Sequence, residues 1–140
     1  MMLLLHLIIL ESMASCKVIE YKGIEIVFTD ISNANVSDAI HAFEHSCEII
    51  KNYPLGSVYA LVHTKNAKFS MELVEKIKEV VKRNQPYNRA TAVTGLDSMT
   101  MVFARSIGVL TGRSLKFLST PEEGKEYLFK ESQKNQMAGT

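Results

Sequence analysis

Eight polar side chains stand where three apolar runs give way to turn residues. Asp30, Ser32 and Asn33 follow the first run, His63, Thr64 and Asn66 the second, and Asp97 and Ser98 the third. Acid, imidazole and hydroxyl groups are the raw material of proton transfer, and His63 with Asp30 is the pair that would carry it if a cleft brought them within hydrogen-bond reach. Each residue also has a plainer use: Asp30 and Asp97 suit turns or helix starts, and His63 a solvated position. The sequence holds no activated nucleophile, phosphate-cradling glycine loop or dinucleotide fingerprint. The eight therefore read as a candidate rim for a ligand or partner. No catalytic residue is assigned, no enzyme activity is expected, and no cofactor is implied.

Three further groups have residue types that could do chemistry. His41 and His45 lie one turn apart with Asp38 on the same face, a spacing open to a transition metal, but the three point away from the apolar stripe and lack a further ligand. They read as a solvated helix face. Cys16 and Cys47 have neither paired metal-ligand spacing nor the density of a disulfide scaffold, so both read as reduced, and Cys47 as a small buried hydrophobe. Lys76, Lys78, Lys82 and Arg83 are interleaved with acids, which makes them a solvated face and not a phosphate track. Sixteen Lys and Arg against fifteen Asp and Glu leave a net charge of +1. That near-neutrality argues against nucleic acid as a partner.

The elements that must position the rim alternate between strand and helix periods, which signals an α/β domain. With 46% hydrophobic and 22% charged residues in 140, the chain can build one core and is too short for two. Residues 17–21 and 24–29 are β-branched and aromatic runs split by Lys22-Gly23, which predicts an antiparallel hairpin. Asn35 caps a helix whose Val36, Ile40, Phe43, Cys47 and Ile50 form one stripe. Residues 57–62 make a compact apolar run expected at the sheet centre. Ser70 caps a second helix, with Leu73, Ile77, Val80 and Val81 inward and Glu72–Lys76 and Glu79–Arg83 bracing the outside. Residues 90–93 give another buried strand with small side chains that imply close helix packing. Asp97 or Ser98 caps a third helix, apolar nearly all round, and Gly112 ends it. Residues 115–117 form an edge strand, and Thr120-Pro121-Glu122-Glu123 opens the last helix with cap, first-turn proline and capping-box glutamate. The expected architecture is a single mixed sheet of about five strands, an opening hairpin followed by βαβ units, flanked by about four helices.

The string of signals resembles a family of uncharacterised bacterial proteins with a domain like the anti-sigma-factor antagonists, called STAS-like. The likeness covers residues 17 to about 128. It rests on Val18-Ile19-Glu20-Tyr21-Lys22-Gly23 with Ile26-Val27-Phe28-Thr29-Asp30, on Asn84-Gln85-Pro86-Tyr87 before Ala90-Thr91-Ala92-Val93, and on Gly112-Arg113-Ser114-Leu115-Lys116. These motifs concern the fold. The resemblance implies a mixed sheet flanked by helices and a regulatory, binding role without catalysis. Antagonists of this kind carry a phosphorylatable serine where the helix after the central strand begins, and the nearest residue here is Ser70. Its surround, Asn66-Ala67-Lys68-Phe69-Ser70, departs from the Asp-Ser-Ser-Gly-like pattern, so Ser70 is a candidate phosphosite whose plainer role is a helix cap.

Residues 1–10 are apolar except for His6, shorter than the roughly 20 residues of a membrane span. No basic residue precedes them, as a secretory signal would require, although Met13-Ala14-Ser15-Cys16 loosely resembles a lipoprotein box. The expected organisation is a leader over 1–16, which includes an alternative start at Met13, the domain over 17–131, and a polar, frayed tail over 132–140. The expected location is the cytoplasm, with no membrane span. Two functions compete. In the first, the apolar third helix, through Met99, Met101, Phe103 and Val109, docks on a protein partner or on a second copy. In the second, that helix lines a pocket for a small molecule or lipid. An internal cavity favours the second and a flat patch the first.

Overall fold

The structure, a computed structural model, describes residues 14–111 and 115–138, and for residues 103, 106–111 and 135–138 the backbone alone. The chain opens with β1 (Ser15–Tyr21) and β2 (Ile24–Asp30), paired antiparallel from Ser15 opposite Asp30 to Tyr21 opposite Ile24. Lys22 and Gly23 take φ of 49° and 87°, the two-residue turn whose twist matches a hairpin. Then follow α1 (Val36–Ile50), β3 (Val58–His63), α2 (Met71–Asn84), β4 (Asn88–Thr94), α3 (Ser98–Thr111), β5 (Leu115–Leu118) and α4 (Pro121–Ala138). The sheet order is β1-β2-β3-β4-β5, and β2 to β5 run parallel. Among the described residues this is the predicted architecture of five strands and four helices, with β3 at the centre and β5 at an edge.

Strand alternation sends two sets of side chains to opposite faces. Ile26, Leu61, Ala90 and Ala92 meet Leu128 of α4 on one face, with Tyr59, Tyr127 and Leu118 around them. On the other face Cys16, Val27 and Val58 meet Ile50 of α1, and Phe43, Cys47, Leu73 and Val80 join α1 to α2. The small strand residues do admit a helix closely. A Cβ on Gly124 of α4 would come within 2.6 Å of Leu61 Cδ1 and 3.5 Å of Ala92 Cβ.

Caps and ion pairs fix the helices. Asn35 Oδ1 accepts from the Asp38 amide at 2.8 Å, and Ser70 Oγ from the Leu73 amide at 3.2 Å. Thr120 and Glu123 exchange the reciprocal bonds of a capping box, both at 3.2 Å. Lys76 departs from the expected pairing with Glu72. It reaches across to Glu44 of α1 at 2.6 Å, where Arg83 also arrives at 3.2 Å. The two cations hold the Glu44 carboxyl below its usual range. The last helix also outruns the expectation. It continues to Ala138, and Ser132, where fraying was expected to begin, is buried and donates to the Phe129 carbonyl at 2.6 Å. Of the expected leader over 1–16, residues 1–13 lie outside the described residues, as does Gly112. Ser15 and Cys16, by contrast, already belong to β1 and Cys16 is buried in the core, so the domain begins before residue 17. Among the described residues, no helix is long and apolar enough to cross a membrane.

Candidate functional site

Parallel pairing of β2, β3 and β4 brings their carboxyl ends to one edge, so the eight rim residues share an end of the sheet. There the backbone zips the loops together. Ile31 donates to the His63 carbonyl, Asn33 to that of Lys65 and Thr64 to that of Thr94, each at 2.9 Å. Asn33 and Asn66 sit at φ of 58° and 59°, the left-handed region that asparagine tolerates. Both are turn residues. Asp30 Oδ1 accepts from the Ser32 amide at 3.0 Å and from its hydroxyl at 2.6 Å, an Asx turn in the loop after β2.

The acid–base pairing of Asp30 with His63 does not form. Their backbones are register partners, yet His63 Nδ1 lies 2.9 Å from Thr94 Oγ1 while Asp30 is engaged by Ser32. Asp97 is the cap of α3. Its Oδ1 accepts from the Thr100 amide and hydroxyl, both at 2.7 Å, and these bonds hold its carboxyl below the usual range. Ser98 follows as the first helical residue and is exposed. His41 and His45 are exposed on α1, and no metal-holding cluster of His, Cys, Asp and Glu occurs among the described residues. Cys16 and Cys47 are buried free thiols whose pKa values burial pushes up. A raised thiol is a poor nucleophile.

The rim borders an apolar cavity of about 470 Å³. Its cause is the placement of two helices. α2 lies along α1, and α3 touches α2. The floor is Val62, Thr91, Val93 and Leu115 from β3, β4 and β5, with Ile31 and Phe43 at one side. The roof is Val74, Ile77 and Val81 of α2 and Ala104 of α3. Thr64, Ser70, Asp97 and Thr100 stand at the rim end beside Met71 and Met99, which are 68% and 78% exposed. A smaller void of about 90 Å³ shares Phe43, Val62, Val81, Thr91 and Leu115 with the first and extends under α2 towards Asn84 and Asn88.

The candidate residues thus divide. Thr64, Ser70, Asp97 and Met99 line the cavity, whereas Asp30 and His63 point to the opposite face, with α4. Met101 is half-buried on α3, and the side chains of Phe103 and Val109 lie outside the described residues. Sequence reasoning missed the strand floor and the α2 roof, because Val62, Val81, Val93 and Leu115 have the patterning of ordinary core.

Comparison with solved structures places the fold. The chain superimposes on the crystal structure of an uncharacterised protein of the DUF3478 family with a SpoIIAA-like fold, from Shewanella loihica PV-4. The TM-score is 0.67 at 9% identity, over 83% of this chain and 94% of the other. The fold is therefore SpoIIAA-like, the STAS-like class indicated by the sequence motifs. No family model matches the sequence, and no curated protein matches it.

Proposed function

We propose that this chain is a non-catalytic STAS-like binding module whose ligand is a small apolar molecule held between the sheet and α2–α3. The cavity carries this reading. Its volume of about 470 Å³ is within the usual range of ligand pockets, and its walls are apolar with a few polar groups gathered at one end. The rim groups that suggested proton transfer are committed to turns and caps, which supports a binding role over a catalytic one.

The protein-partner reading rests on a different observation. Met71, Met99 and Val102 are exposed large hydrophobes on α2 and α3, and exposed apolar side chains suit docking on a partner or second copy. Native mass spectrometry of protein purified from its own host separates the two. A monomer carrying a releasable small molecule is the expected result; an unliganded homodimer or heteromer would favour the docking reading and contradict the carrier.

A further inference from the structure

The hydroxyl groups along the cavity have already spent their protons. Thr64 Oγ1 donates to the Thr94 carbonyl at 2.8 Å, Thr91 Oγ1 to Asn88 Oδ1 at 2.9 Å, and Thr100 Oγ1 to Asp97 Oδ1 at 2.7 Å. A hydroxyl that donates keeps its lone pairs, so the three threonines that line the cavity offer it acceptors. Among the described residues Asp97 is the only titratable side chain lining the space, an ionised carboxylate that no Lys, Arg or His joins. Among the described hydroxyls of the lining, Ser70 alone retains its proton, since its Oγ accepts from Leu73. The helix starts do not reverse this balance. Asp97 occupies the α3 N-terminus through the Thr100 amide, and Glu72 supplies negative charge to the first turn of α2.

From this surplus of acceptors we infer that the cavity selects an aliphatic ligand ending in a hydrogen-bond donor, an alcohol, primary amide or amine, and rejects one ending in a carboxylate or phosphate. The inference rests on the cavity being a binding site. A donor head group would meet Thr64, Thr100 or the Asp97 carboxylate while its chain lies along Ile77, Val81 and Val93. A carboxylate would find one hydroxyl proton and a like charge, and each unmade bond to a desolvated oxygen is costly.

The test is a calorimetric titration of the full chain at neutral pH with decanol, decanamide, decylamine and decanoate, which share a chain and differ at the head. The three donors should bind at least about ten-fold more tightly than decanoate. Asp97→Asn preserves a good helix cap and removes the charge. It should improve decanoate binding several-fold and weaken decylamine several-fold, so that the preference for donors over decanoate narrows. Tightest binding by decanoate, or equal binding across the series, would overturn the head-group inference and leave the cavity reading intact. Failure of all four to bind would overturn both.

Discussion

Gly124 of α4 and Leu61 of β3 approach so closely that a Cβ on the glycine would stand 2.6 Å from Leu61 Cδ1. Leu61 is fully buried, and Thr94 Cγ2, 3.1 Å from the same point, closes the other side. This contact seats α4 on the sheet. Gly124→Ala should destabilise the domain by about 1–2 kcal/mol, because overpacking outweighs the gain of up to about 1 kcal/mol in helix propensity. Urea denaturation checks it, and an unchanged or raised midpoint would refute the close approach.

Ser70 is half-buried at the start of α2, where its hydroxyl caps the Leu73 amide and borders the cavity. Ser70→Ala should cost about 1 kcal/mol, the ordinary value of a lost cap. Phosphopeptide mapping of protein from the native host is expected to find Ser70 unmodified. Stoichiometric phosphate there, with a Ser70→Asp variant that loses a partner, would instead make this residue a signalling switch.

Tyr53 follows α1 and donates its hydroxyl to Glu25 Oε2 at 2.8 Å. Burial first and the Glu25 carboxylate second push its pKa up to about 12. The folded state therefore holds this proton more tightly than the unfolded state does. Its contribution is complete below the unfolded tyrosine value near 10 and is lost as pH rises towards about 12. Spectrophotometric titration should show one tyrosine ionising last. Glu25→Gln should lower that pKa without restoring it to the unperturbed value, because burial remains; a complete return would show that burial contributes nothing.

The fold was legible where pattern and punctuation agree. Lys22-Gly23 announces the hairpin, Asn35, Ser70 and Asp97 announce three helix starts, and Thr120 with Glu123 announces the fourth. Those signals are local, since each cap is satisfied within three residues. Long-range matters were less visible. Lys76 choosing Glu44 over Glu72 depends on α1 and α2 lying side by side. Ser132 reads as polar tail in sequence and is buried only because α4 crosses the sheet. The cavity was the least legible feature. Val81, Val93 and Leu115 have the spacing of core residues, and whether such residues touch one another or surround a space is decided by how far α2 and α3 stand off the strands.

The central claim is that this space holds an apolar molecule, and Nile red, uncharged and fluorescent only in apolar surroundings, tests it most directly. Titrated into the full chain, the dye should show saturable emission at one site per chain. Val93→Trp, which fills the floor, should abolish that signal while the circular dichroism spectrum and unfolding midpoint stay close to those of the parent. Saturable binding that survives Val93→Trp unchanged, or no binding by the parent chain, would contradict the account.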